Sequence, residues 1–260
     1  MMVNKMNVYE IKFEPKSGLE MNEDNLDFIS WYLLCLNNNG QILKNYVLTA
    51  SDTYAKAIAT LPEDGALDQN NNSVYAAEYL QKTEEVFCIT TERIGSDVDV
   101  DEPCHCDDSG WYMLHTDWIC TTSPVMCGDC GKRVPLYRFP HVDKEKDHND
   151  VLYWAEMYKY IDSLEFMHER FALKQMNHPK SPLSKLGIDL CRKYEEVTKK
   201  PFYYFLHQRK YNRNKPFYYK PNKRCPICGA RWRVVIEGSY IDCKCENCRI
   251  ISYNKYGKEW

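Results

Sequence analysis

Near the C-terminal end of the chain, Cys225-Pro-Ile-Cys228 is followed after 16 residues by Cys245-Glu-Asn-Cys248. Four thiolates spaced as C-x2-C, roughly 15–20 residues, C-x2-C can surround one zinc ion tetrahedrally. Each C-x2-C folds as a tight knuckle that aims two sulfurs at one point, and Gly229 permits the turn that brings backbone amides toward them. A ribbon this small buries too little apolar surface to fold unaided. Structural zinc in small fingers contributes about 10–16 kcal/mol of apparent binding energy, enough to make up the difference. Cys243 competes with Cys245 for the fourth position, and Cys245 is preferred because it keeps the knuckle spacing.

A second cluster is less regular: Cys104-His-Cys106, 20 residues, then Cys127-Gly-Asp-Cys130. Its second half is a good knuckle, with Gly128 and Gly131 suited to the turn. Its first half is a C-x-C, which also chelates but strains differently. Cys104, Cys106, Cys127 and Cys130 are the assigned ligands, with His105, His115 and Cys120 open as substitutes. Two Zn2+ ions per chain are therefore expected. Disulfide exchange by a lone C-x-x-C is the competing chemistry, but that motif belongs at a helix N-terminus after a strand. Both knuckles here sit among Gly, Pro and strand signals instead. A catalytic zinc keeps one coordination position open, and four thiolates close it.

Residues 199–224, KKPFYYFLHQRKYNRNKPFYYKPNKR, interleave eight aromatic rings with nine Lys or Arg. Rings stack on unpaired bases, worth about 1–3 kcal/mol per base, while the cations neutralise phosphates. Arg209, Lys210, Tyr211, Arg213, Lys215, Tyr218 and Tyr219, joined by Arg231 and Arg233 of the ribbon, form a candidate nucleic-acid surface. Single-stranded RNA or DNA is favoured, because no groove-reading helix is apparent. The plainer alternative makes residues 201–206 a core strand and leaves only residues 211–219 for stacking. Catalysis is not expected. His168-Glu169 lacks the second histidine of a zincin helix, and His141, Asp143, Asp147 and His148 read as a solvated connector. Neither a Gly-rich phosphate loop nor a Gly-x-Ser-x-Gly elbow is present.

These groups must be positioned by a chain of 260 residues, 44% apolar and 13% aromatic, which suffices for a buried core. Residues 8–13 alternate as a half-buried strand does. Asn22, Glu23 and Asp24 open a helix that Gly40 closes, with Leu26, Ile29, Leu33 and Leu36 on one face. Strands over 42–49 and 53–60, a helix from about 72–73 and a strand over 86–91 complete a ferredoxin-like α+β order. A boundary is expected near residue 100. One long helix is expected over 150–175, and another begins at Ser181-Pro182, a capping serine with proline at the first helical position. The expected organisation is an acidic α+β domain at 1–100, a central zinc-binding module at 101–148, a helical pair with the basic aromatic segment at 149–222, and a zinc ribbon at 223–260.

Charge follows the same division. Residues 1–103 carry 7 Lys and Arg against 18 Asp and Glu, a net of −11, whereas residues 192–260 carry 17 against 6, a net of +11. The acidic end offers a second class of function, a protein–protein module such as an adaptor or toxin-immunity protein that covers a basic partner. No small-molecule substrate is expected. The longest apolar run, residues 28–36, falls far short of the roughly 20 residues a membrane span needs. The N-terminus lacks a signal-peptide core, so a cytoplasmic protein is expected.

The stretches CGDCGKRVPLYRFPH (127–141), ERFALKQ (169–175), SPLSKLGIDLCRKYEEVTKKPFYYFL (181–206), CPICG and CENCR carry a resemblance. Together, over about residues 104–252, they resemble an uncharacterised bacterial family described as zinc-ribbon-containing, with nucleic-acid binding suggested. The resemblance implies zinc, and supports Cys245 over Cys243 because the family pattern has no cysteine at the latter. It does not extend to the N-terminal hundred residues.

Overall fold

Strand β1 (Lys5–Pro15) owes its length to alternation: Ile11 and Phe13 are buried while Lys12 and Glu14 face out. Helix α1 (Glu23–Asn39) begins where Asn22 Oδ1 accepts the Asn25 N–H at 2.9 Å, with Glu23 and Asp24 in the first turn. It ends at Gly40, whose φ of +79° lets the Gln41 N–H reach back to the Leu36 carbonyl at 2.9 Å. Strands β2 (Val47–Ala50) and β3 (Ala55–Leu61) follow, then helix α2 (Val74–Val86), capped by Ser73. Strand β4 (Phe87–Asp101) completes an antiparallel sheet of order β2-β3-β1-β4. Its core joins Ile11, Phe13, Ala57, Ala59 and Phe87 of the sheet to Ile29, Leu33 and Leu36 of α1.

The computed structural model describes residues 5–143, 147–208, 224–234 and 243–252. Their contacts fall into two units, one of Met1–His105, Thr121–Ser123 and Lys132–Asn149, the other of Cys106–Cys120, Pro124–Gly131 and Asp150–Trp260. The second unit is built on short strands: β5 (Tyr112–Leu114), β6 (Val125–Cys127), β7 (Phe202–Phe205), β8 (Arg233–Val234), β9 (Cys243–Cys245) and β10 (Ile250–Ser252). They form one mixed sheet of order β6-β5-β7-β10-β9-β8, in which β5, β7 and β10 run parallel.

All four residues of β7 are buried, as expected of a parallel strand covered on both faces. Tyr203 and Phe205 pack with Met113 and Ile251. On the other face the Tyr204 ring meets Trp154 at 5.9 Å between centroids, and its hydroxyl lies 3.3 Å from Ser184 Oγ. Trp154 comes from helix α3 (Asn149–Ser163) and Ser184 from helix α5 (Pro182–Thr198), with helix α4 (Glu165–Asn177) between them. Ser181 caps α5, Pro182 occupies its first turn, and Lys199 ends it in the left-handed region at φ +57°. The described residues are thus α+β with two sheets. Among the described residues no helix is long and apolar enough to cross a membrane.

Four expectations need correction. The strand expected over 42–49 begins only at Val47; Ile42 and Leu43 are buried ahead of it. Strand β4 does not end near residue 91 but runs to Asp101, where Lys5 pairs with it across the expected boundary. The single helix expected over 150–175 is two helices, with Leu164 between them and a non-helical His168 (φ −129°, ψ 48°) inside the second. The break coincides with tertiary contacts, since Asp162 accepts the Trp118 N–H at 2.9 Å and Phe166 packs on the Trp118 ring. The supposedly solvated connector is partly core: Asp147 and His148 are buried, and the His141 ring lies 4.5 Å from His148 and 2.9 Å from Asn39 Oδ1.

Candidate metal centres

Strand β6 delivers Cys127 into a turn in which the Gly131 N–H donates to the Cys127 carbonyl at 3.0 Å. The amides of Asp129 and Cys130 then lie 3.4 and 3.5 Å from the Cys127 sulfur. The turn at Cys225 repeats this, with the Gly229 N–H donating to the Cys225 carbonyl at 2.9 Å and the Ile227 amide 3.5 Å from the sulfur. In each knuckle the residue after the second cysteine has positive φ: Gly131 at +73°, Gly229 at +71°, and Arg249 at +51°. Glycine adopts that conformation freely, whereas other residues pay roughly 1–2 kcal/mol.

The knuckles converge in two groups. The sulfurs of Cys104, Cys106, Cys127 and Cys130 all lie within 4.8 Å of one another, and so do those of Cys225, Cys228, Cys245 and Cys248. Cys228 Sγ and Cys245 Sγ are 3.6 Å apart. A tetrahedron of sulfurs about 2.3 Å from zinc has edges of about 3.8 Å, so the donor set fits that ion. Both groups can hold a metal ion, and in each group two of the four cysteines are buried.

Electrostatics point the same way. The Ala230 amide, followed by the Cys248 side chain, pulls the Cys228 thiol down to about 7. Burial pushes Cys245 up to about 11, and burial with neighbouring thiols pushes Cys248 well above the thiol range. A first thiolate thus opposes the ionisation of the others, and a cation at their centre would relieve that repulsion. In the central group burial raises Cys127, but the Ser109 hydroxyl at 3.1 Å and the Cys130 and Asp129 amides outweigh it and lower the thiol. The Cys104 backbone is fixed by its N–H to the Arg133 carbonyl at 2.7 Å and by Arg138 Nη1 to its own carbonyl at 2.8 Å. Arg138 is in turn paired with Glu63.

The alternatives named from sequence stand apart from these groups. The His105 ring faces Glu63 and Glu102 at 3.7 and 3.8 Å, and His115 packs edge-on against Phe205. Cys120 and Cys243 are not among the grouped sulfurs. Of the candidate nucleic-acid residues, Arg209, Lys210, Tyr211, Arg213, Lys215, Tyr218 and Tyr219 lie outside the described residues. Arg231 is exposed and bridged to Arg224 in antiparallel fashion; the Arg233 backbone pairs with Lys244 in the β8–β9 ladder. The aromatics of β7 are core, as the plainer alternative had it, and have no face for bases.

Sequence reasoning missed the side chains packed around the knuckles. Lys244 Nζ sits 4.2 Å from the ring centroids of both Trp111 and Tyr203. Trp111 lies so close to Gly128 that a Cβ there would meet the indole at 2.0 Å. Arg249 donates to Glu195 from Nε at 2.8 Å and from Nη2 at 2.7 Å, and its guanidinium lies 5.4 Å from the Tyr203 ring centroid. The available signal was an arginine standing where the other two knuckles have glycine.

A family model described as a domain of unknown function (DUF8589) matches residues 6–94, and a second, also a domain of unknown function (DUF2310), matches residues 106–207. Neither description names a metal or a nucleic acid, and both matches end before the C-terminal cysteine group. A protein of Haemophilus influenzae named only as uncharacterized is 27% identical over 231 residues, covering 82% of this chain and 85% of the relative. Another from the same organism, similarly named, is 26% identical over 200 residues, covering 73% of this chain and 93% of the relative. No solved structure matches.

Proposed function

We propose that the chain is a zinc-binding, non-enzymatic protein of the cytoplasm that takes single-stranded RNA or DNA on its basic C-terminal region. One juxtaposition carries the reading. The closed four-sulfur group at Cys225–Cys248 is flanked by exposed Arg224 and Arg231, within residues 192–260 of net charge +11. Four thiolates around zinc leave no open position for water, so the metal is a staple rather than a Lewis acid. Four thiolates and one Zn2+ sum to −2, which leaves the region at +9 and still strongly basic. In this reading the C-terminal group is a zinc ribbon. The strand order β2-β3-β1-β4, with helices after β1 and β3, supports a ferredoxin-like N-terminal unit.

Metal analysis should return two zinc per chain, with C225S/C228S removing one and C127S/C130S the other. Fluorescence anisotropy against short single strands should show micromolar or tighter binding. Its log K should fall against log salt with a slope of about −0.7 per phosphate contacted. Charge reversal at Arg209, Lys210 and Arg213 should abolish it. Absence of binding at low salt would overturn the nucleic-acid reading while leaving the zinc assignment to its own test.

A further inference from the structure

The second unit carries an apolar surface patch that the metal centres do not use. Trp118 and Ile119, in the turn after β5, are 54% and 65% exposed, and Phe166 and Met167, at the start of α4, are 68% and 76% exposed. The Trp118 and Phe166 rings meet edge-on at 5.7 Å between centroids, so the two pairs form one surface. Their backbones are pinned: the Trp118 N–H donates to Asp162 at 2.9 Å and the Ile119 N–H to Asp117 at 3.2 Å. Isolated exposed apolar residues are ordinary, but two exposed pairs joined by a ring contact mark an interaction surface.

The rim decides what covers it. Residues 117–119 and 162–171 hold Asp117, Asp162, Glu165 and Glu169 against the single cation Arg170. A second copy docked about a two-fold axis would bring the same acids face to face. A nucleic acid or an anionic lipid surface meets the same repulsion. A segment with an apolar face and flanking cations satisfies both the centre and the rim. We propose that the patch docks a basic amphipathic helix of a partner protein. Its apolar residues would lie on Trp118, Phe166 and Met167, and its Lys or Arg over Asp162 and Glu169. The pliant Met167 thioether suits a surface that must accommodate another side chain. The patch uses none of the candidate nucleic-acid residues and stands whether or not nucleic acid binds them.

The test uses a labelled amphipathic helical peptide of Leu and Lys, titrated against the full zinc-loaded chain by anisotropy. Binding should weaken as salt rises, and F166S/M167S should reduce it at least about tenfold. Glu169→Lys alone should reduce it several-fold and flatten its salt dependence. The first variant changes exposed side chains and the second a half-buried one, and near-UV circular dichroism checks that both fold. Unchanged affinity in both variants would overturn the proposal. So would an equal, patch-dependent response to the Leu/Glu counterpart, or a concentration-dependent dimer that F166S/M167S converts to monomer.

Discussion

Arg249 shows how an ion pair can hold a residue in a backbone conformation that its type disfavours. Its φ of +51° repeats the +73° and +71° of Gly131 and Gly229, and the pairing with Glu195 keeps it there. Alanine at 249 keeps the strain and loses the pair, whereas glycine loses the pair but relieves the strain. R249A should therefore be less stable than R249G by about 1 kcal/mol, and both less stable than the parent. Denaturant unfolding with zinc present measures this, and an alanine variant as stable as the glycine one would refute the strain. His148 makes a second residue-scale case. Burial, then the neighbouring His141, hold it down at about 3. Between that value and the ordinary histidine range near 6.5 the unfolded chain binds a proton that the folded chain refuses. Stability should therefore fall as pH drops through this window, by roughly 1.4 kcal/mol per pH unit. Asp147, raised by its own burial, works in the opposite sense nearer its own range, so the comparison that isolates His148 is with H148Q. The variant's stability should fall less steeply from pH 6.5 to pH 4; parallel curves would sink the assignment. The cysteines were legible because ligand chemistry resides in residue type and short spacing. Glu195 was not, because it lies 54 residues from the arginine it holds.

Elements were legible where their ends carry side-chain signals. Asn22 and Gly40 bound α1, and Ser181 with Pro182 opens α5, as their hydrogen bonds show. The break between α3 and α4 has no Gly or Pro to announce it and arises from contacts with the turn at Trp118. The length of β4 likewise reflects its partner: Cys88, Glu92 and Asp101 are paired by β1, and a half-polar run gives little periodic signal alone. Helix α5 offers a test in which two element-scale effects oppose each other. Gly187 lies inside the helix, where alanine is favoured by about 1 kcal/mol on propensity. A Cβ at 187, however, would meet the Tyr204 ring at 2.3 Å and Trp154 Nε1 at 2.7 Å, both fully buried. Overpacking a full core typically costs about 1–3 kcal/mol, which outweighs the propensity gain. Gly187→Ala should therefore lower the urea midpoint. A raised midpoint would mean that α5 and β7 do not approach as closely as described.

At the scale of the molecule the charge gradient was readable from sequence, whereas the grouping of elements was not. Residues 132–143 follow a cysteine knuckle, yet they belong to the first unit, where Gly40 leaves room for Leu136. The two units also differ in what holds them together. The core of the first joins α1 and α2 to the sheet through apolar side chains, and Cys104, the grouped cysteine within that unit, is not part of this core. In the second, parallel strands β5, β7 and β10 lie between β6, which ends in Cys127, and β9, which ends in Cys245. Strands of two to four residues bury little by themselves, so a metal held by these cysteines would contribute its binding free energy directly to their folding. Chelation should then act on the sheet of the second unit and spare the sheet of the first. By hydrogen–deuterium exchange, the Tyr204 and Leu206 amides, which donate to the Arg249 and Ile251 carbonyls at 2.9 Å, should lose protection when zinc is removed. The amides linking β1 to β3 and β4 should keep theirs. Equal loss in both sheets would mean that the first unit depends on metal as well, and no loss in either would mean that the four-sulfur groups do not hold the second unit together.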